Sequence, residues 1–411
     1  MPGGRSARLG VNLGIAGAVL ALVTSIFLQS GRTVESGGLG YDGETYAVMT
    51  TDAIYRGGDN PRMRPLVILA NQLVYDFYVH DVVRVYQVMN FVYTAALALL
   101  LCGILDHYGV SIAHKLVFAL NVFATIAVTK MFAFYPVLID LGAYAFVTLA
   151  VYAIVGGRRG LIVVSTILAV FAREFGMVAI LFGIHRDIRL RVAPGVIAST
   201  YAPAIVAFVA LRQWVLATST DAGGAELLSS VDVLANVASL VDPLFLVFMA
   251  YFVATVFGGV SLMLLTRALR GRIPLHGETE WLTYLGVIGA MTIVGNADIW
   301  RYLAYALPVA AVLYAKGFAA DDWFLVAPWT GLVTVLTQQP WATMTDLTYF
   351  EDWFPLYIAQ FGVPDDASPP FWTAWAVRMT IVAGLAALVW WAQRRGGVLA
   401  PRHGDAPGLA V

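Results

Sequence analysis

One cysteine, Cys102, is the only thiol in 411 residues, which excludes an intramolecular disulfide and every Cys-based metal motif. Sitting inside an apolar run, it reads as a small buried hydrophobe. Charge is scarce as well: Asp, Glu, Lys and Arg make up 12% of the chain, against roughly a quarter in a soluble domain. The 25 basic and 26 acidic residues nearly cancel. The total therefore says nothing about a nucleic-acid partner; the distribution decides, and no such partner is expected. Missing too are GxxxxGK[ST], GxSxG and HExxH, and the six histidines make no metal-ligand spacing. ATPase, serine-hydrolase and zinc-enzyme readings have no support. No internal repeat is evident, which weakens transporter folds built from repeated halves.

What is present is apolar: 60% of the residues, with a mean hydropathy of +0.76. These residues come in blocks broken by short polar punctuation, over 11–28, 85–105, 112–129, 137–155, 161–172, 175–185, 193–216, 243–265, 281–295, 302–316, 323–337 and 371–391. Because lipid satisfies no backbone N–H or C=O group, such blocks predict helices. A membrane barrel would need alternating segments of about ten residues, and Val137–Val155 does not alternate. The block 11–28 follows Arg5 and Arg8, exceeds a usual signal-peptide core and has no small-x-small cleavage site after it, so it reads as a retained first helix. The expected fold is all-α and polytopic, with about 12 membrane segments. It divides into residues 1–217, with a long first outer loop at 29–84, and 218–411, with an outer loop at 338–370.

Basic residues set the orientation. With the N-terminus inside, the inner connections collect 15 of the 25 basic residues and 7 of the 26 acids, the bias expected of cytoplasmic loops. Both termini are then cytoplasmic and the protein belongs in the plasma (inner) membrane. The stretch 161–185 tests this parity, because Arg173 and Glu174 interrupt its apolar run. One spanning helix would place the pair at mid-bilayer and invert every later loop. Two short helices make a re-entrant hairpin instead, lowering Arg173 and Glu174 into the membrane from the outer side. A charged pair at that depth needs a protein-lined, wet cavity.

Several constellations could carry chemistry. In GYDGETYAVM (40–49), Asp42 and Glu44 stand two apart beside Gly40 and Gly43. On a loop they could face one cavity, where a carboxylate accepts a proton from an attacking hydroxyl. A solvated turn with Asp42 capping a helix is the competing reading. Arg62, Arg64, Lys130, Arg173 and Arg301 all fall on the outer side; clustered, they would hold an anionic head group, most simply a phosphate. Otherwise each snorkels or pairs with an acid, Arg173 with Glu174 or Asp140 and Arg301 with Asp298. Asp140, one turn past Pro136, is costly inside a helix unless it lines a cavity. In NADIWRYLAYALPV (296–309), Asp298 and Arg301 flank the outer mouth of a helix that Pro308 lets kink. Pro65–Val79 is amphipathic and suits a position along the membrane surface.

With these residues in view, the chain resembles bacterial GT-C superfamily glycosyltransferases, polytopic enzymes that use polyprenyl-phosphate sugars at the outer membrane face. The resemblance rests on the order YDGETY (41–46), PRMRPLVIL (61–69), Asp140, FAREFG (171–176) and RYLAYALPV (301–309), and it covers mainly residues 1–217. YDG-x-x-Y with Arg-Pro most resembles a subgroup of cell-surface glycopolymer enzymes. It implies Asp42 as catalytic base, with Glu44 beside it, and Arg64, Lys130, Arg173 and Arg301 around the donor phosphate. Asp140, Glu174 and Asp298 support them. The donor would be a polyprenyl-phosphate sugar, the acceptor a glycan or lipid-linked molecule, and the transfer inverting. No cofactor is assigned and a divalent metal is left open. The sequence departs from many relatives in having DGE in place of two adjacent acids, and it lacks a sizeable C-terminal outer domain. A transporter or flippase for a lipid-linked sugar or organic anion is the alternative.

Overall fold

The computed structural model describes residues 3–52, 62–218, 256–269, 278–294, 299–318 and 323–338, with isolated positions at 253, 340–341, 380, 384 and 387. Every element among them is helical. Three helices are long and apolar enough to cross a membrane: Ser6–Phe27, Val82–His107 and Pro194–Ala217. Their 22 to 26 residues, at about 1.5 Å each, exceed the roughly 30 Å hydrocarbon core. Ile112–Phe123 with Ile126–Phe134 makes a fourth candidate, bent by 66° at its break. Nearly all of the segments 371–391 and 338–370, nearly all of the connection about 218–242 and about half of the block 243–265 lie outside the described residues, as does Asp298.

In chain order, α1 (Gly3–Phe27) leads through a loop to α2 (Tyr41–Thr51) and α3 (Pro65–Phe77). Then come α4 (Val82–His107), α5 (Ile112–Phe123), the bent continuation Ile126–Phe134 and α6 (Asp140–Val155). Next are α7 (Arg159–Ala172), α8 (Gly176–Arg189) and α9 (Pro194–Ala217), and later α10 (Gly259–Leu269), α11 (Thr279–Val294), the short Ile299–Leu303, α12 (Leu307–Gly317) and α13 (Trp323–Gln338). One buried core joins residues from Ile15 to Val326, so helices from both parts of the chain pack together.

The charged interruption at 173–174 does divide the apolar run into two helices of 14 residues each. They are antiparallel, because Arg159 at the start of α7 forms a two-point ion pair with Asp187 near the end of α8. The turn is tight. A Cβ on Gly176 would lie 2.4 Å from the Ala169 carbonyl carbon and 2.5 Å from the Val170 nitrogen, so only glycine fits.

The block 112–129 is not one helix, as its hydropathy suggests, but breaks at 124–125. Thr125 Oγ1 bonds the Val122 carbonyl at 2.7 Å and Thr129 Oγ1 the Phe123 carbonyl at 2.6 Å. Side-chain hydroxyls thus take carbonyls that the helix would otherwise use. Gln338 Oε1 accepts the Ile126 N–H at 3.2 Å, and a π-helical turn over Ile126–Lys130 follows.

Candidate functional site

The site begins with the two glycines of GYDG. Gly40 has φ +78°, and a Cβ there would lie 2.4 Å from the Tyr135 ring. A Cβ on Gly43 would approach the Val137 side chain to 3.1 Å and its carbonyl oxygen to 3.2 Å. Glycine therefore lets α2 press against the segment that leads into α6. That segment is held in place by Thr33 N–H on the Phe134 carbonyl at 3.1 Å and Asn90 Nδ2 on the Pro136 carbonyl at 2.9 Å. Asp42 and Asp140, at the starts of α2 and α6, arrive at one place.

Asp42 and Glu44 are not on a loop. The helix starts at Tyr41, with Gly40 as its cap, so Asp42 lies in the first turn and is not the cap. Two residues along a helix is about 200°, and the two carboxylates diverge. Asp42 Oδ2 faces Arg301 Nη1 at 3.3 Å, whereas Glu44 Oε2 accepts from Ser36 Oγ at 3.3 Å.

From Asp42 an unbroken chain of ion pairs runs inward. Arg301 donates from Nη2 and Nε to Asp140 Oδ2, at 2.6 and 3.1 Å. Asp140 Oδ1 pairs with Arg173 Nη1. Arg173 Nε faces Glu174 Oε1 at 3.7 Å, and Glu174 receives Arg64 Nη2 at 2.8 Å and Nε at 3.1 Å. Tyr46 extends the chain, its hydroxyl 3.4 Å from Arg64 Nη1. The side chains of Asp140 and Arg173 are 0% and 1% exposed, while Asp42 is 56% exposed. The network is thus a buried core that is wettest at Asp42 and partly wet at Glu174, and its three carboxylates balance three guanidiniums.

Local structure explains the reach of each arginine. Arg173 ends α7 in an extended conformation (φ −168°, ψ 152°), which turns its side chain out of the helical path. Arg301 is fixed from behind, its carbonyl accepting the Tyr144 hydroxyl at 3.0 Å. Arg64 stands just before Pro65 at the mouth of α3. Glu174 is shared between Arg64 and Arg173, with both Arg64 contacts within hydrogen-bond distance.

Of the expected phosphate ligands, Arg64, Arg173 and Arg301 are brought together. Lys130 is buried at the end of the π-helical turn, on the stretch that runs into Tyr135 behind Gly40. Arg62 serves packing: it bonds the Thr218 carbonyl at 3.2 Å and lies 5.1 Å over the Trp214 ring. Arg301 pairs with Asp140 and Asp42; the Asp298 that sequence offered as its partner is outside the described residues.

Aromatic residues of the site were not singled out from sequence. Phe175 stacks on Tyr302 at 4.7 Å and on Tyr305 at 4.5 Å between ring centroids. The Arg173 guanidinium lies over Phe175 and Tyr302 at 5.8 and 5.6 Å. The signal was there in RYLAYA for Tyr305, which follows Arg301 by four residues and so shares its side of a helical turn, but not for the adjacent Tyr302. No family model, curated protein or solved structure matches this chain.

Proposed function

We propose that the protein is a membrane glycosyltransferase that moves a sugar from a polyprenyl-phosphate donor to a cell-envelope acceptor at the outer face. The observation that carries this reading is the ion-pair network, in which an exposed carboxylate, Asp42, is tied to three clustered arginines. In the proposed reaction Asp42 takes the proton of an acceptor hydroxyl as its oxygen attacks the anomeric carbon. The bond from that carbon to the phosphate oxygen breaks, and its electron pair leaves with the phosphate. Arginine stabilises the charge that grows there. Attack opposite the leaving group inverts the anomeric centre.

Charge balance adds a requirement. An arriving phosphate must displace a carboxylate, and the Asp42–Arg301 contact, longer and wetter than the Asp140 pairs, is the one most easily opened. While paired, the Asp42 oxygen is engaged by Arg301; Arg301 turning to phosphate frees it to meet the acceptor hydroxyl. Donor binding and base activation are thereby coupled. The full topology of about twelve membrane segments, with both termini cytoplasmic and the hairpin re-entrant from outside, belongs to the same proposal.

The charged residues favour an enzyme over a transporter. A second set gathers at the far ends of the helices: Lys115 with Asp106 at 2.7 Å, Arg159 with Asp187, Arg189 with Glu280 at 2.8 Å and Lys316 with Glu278 at 3.0 Å. Between the two sets, α4 and α6 bury mainly apolar side chains such as Leu97, Leu101, Val147 and Val151. A substrate path through the molecule would want polar groups there. The test is transfer by purified protein from a polyprenyl-phosphate sugar. Asp42→Asn should slow it by about 10²- to 10⁴-fold, the usual contribution of a positioned base, without loss of folding; near-normal turnover by this variant would remove the reading.

A further inference from the structure

Beside the network lies a polar group that has nothing to bond. The Tyr305 side chain is buried, the residue being 1% exposed, and its hydroxyl has no hydrogen-bond partner among the described residues. Arg173 shares its surroundings: the guanidinium lies 5.8 Å over the Phe175 ring on which Tyr305 stacks. Arg173 Nε is equally unmet: its nearest carboxylate oxygen, on Glu174, stands at 3.7 Å, beyond hydrogen-bond reach. The Tyr305 ring is fixed by stacking on Phe175 and by an edge contact with Tyr144 at 4.8 Å, so the hydroxyl has little freedom to seek a partner elsewhere.

A buried hydroxyl without a partner costs free energy, and phenylalanine would fill the same volume without that cost. A tyrosine here makes sense if a partner arrives. Two neighbouring donors with no acceptor call for an acceptor-only group, and a phosphate oxygen supplies one. We infer that Tyr305 is a further binding residue of this site: in the loaded protein its hydroxyl and Arg173 Nε donate to one non-bridging oxygen of the donor phosphate. The inference rests on the glycosyltransferase reading for its ligand, and it adds a neutral donor to a set that sequence composed of cations alone.

The test uses the full chain in detergent, farnesyl phosphate as the probe and Tyr305→Phe as the variant. Two readouts are taken, the melting midpoint of the free protein and the affinity for the probe. The expected result is a midpoint equal to or above that of the parent, together with affinity lower by about 10- to 100-fold, the worth of one hydrogen bond to a charged group. Farnesol, which lacks the anion, should not distinguish the two proteins. Equal affinity for farnesyl phosphate would overturn the inference, assigning the hydroxyl to a buried water and leaving the proposed function intact. A markedly lower midpoint would also overturn it, because the hydroxyl would then be partnered in the free protein. A parent protein that binds no farnesyl phosphate would sink this inference and the donor-site reading together.

Discussion

At the scale of single residues, three carboxylates of one network occupy three different environments. Asp140 is enclosed and holds two guanidiniums; Glu174 is partly wet and shared between Arg64 and Arg173; Asp42 is mostly solvated and touches one arginine edge. Removing charge from each should therefore cost different amounts. Asp140→Asn leaves Arg173 and Arg301 buried with their common counter-charge gone, a loss of about 3 kcal/mol by analogy with other broken buried pairs. Asp42→Asn, at an exposed pair, should cost under about 1 kcal/mol. Melting of the two variants in one detergent checks the order, and a smaller loss at Asp140 than at Asp42 would show that the burial has been misread. The individual acids and arginines were legible in the sequence because charge inside apolar runs is rare. Their pairing was not: Arg301 meets Asp42 across 259 residues, and no local pattern carries that distance.

Elements explain how the network is held. The hairpin was legible because Arg173–Glu174 breaks an apolar run and arginines flank both its ends. The helix break at 124–125 was not, since neither proline nor glycine marks it; Asn121, Thr125 and Thr129 at four-residue spacing were the available cue. Asn121 bonds Thr330 at 3.1 Å and accepts from Thr334 at 2.7 Å, so the polar seam serves a distant helix as well as the local bend. Pro308, expected to permit a kink, stands in the first turn of α12, and the backbone tightens into a 3-10 turn over Ala304–Ala306 just before it. This follows from the backbone bond that proline cannot donate. The tightest joint is Gly176. Replacing it with valine forces branched carbons against the Ala169–Val170 backbone, which cannot yield as a side chain could. The arms should part and Arg173 should shift. A stability loss of about 1–3 kcal/mol is expected from such overpacking, with a drop in farnesyl phosphate affinity larger than the same variant at open Gly160 produces.

At the scale of the whole molecule, the buried ion pairs among the described residues gather at two poles separated by the length of the hairpin arms. Fourteen residues at about 1.5 Å each give roughly 21 Å, less than the hydrocarbon thickness. If the Arg159–Asp187 end lies at the cytoplasmic surface, the tip with Arg173 and Glu174 stops short of the outer one. The site then sits at a depth where a lipid-linked phosphate could meet it and water could still follow. This placement makes a strict geometric demand, because the antiparallel arms oblige residues 158 and 191 to share a side, while α4 carries Arg84 towards the other pole. Arg84 and Arg158 are well exposed, as is Arg191, so cysteine can replace each without entering the core, in a background freed of buried Cys102. In intact cells a membrane-impermeant maleimide should label the cysteine at 84 and spare those at 158 and 191, and permeabilisation should expose both of the latter. Labelling of 158 and 191 from opposite sides would mean that the hairpin does not sit in the bilayer as a re-entrant pair. The arginine cluster would then lose the outer-facing position that the proposed chemistry requires, even with every ion pair intact.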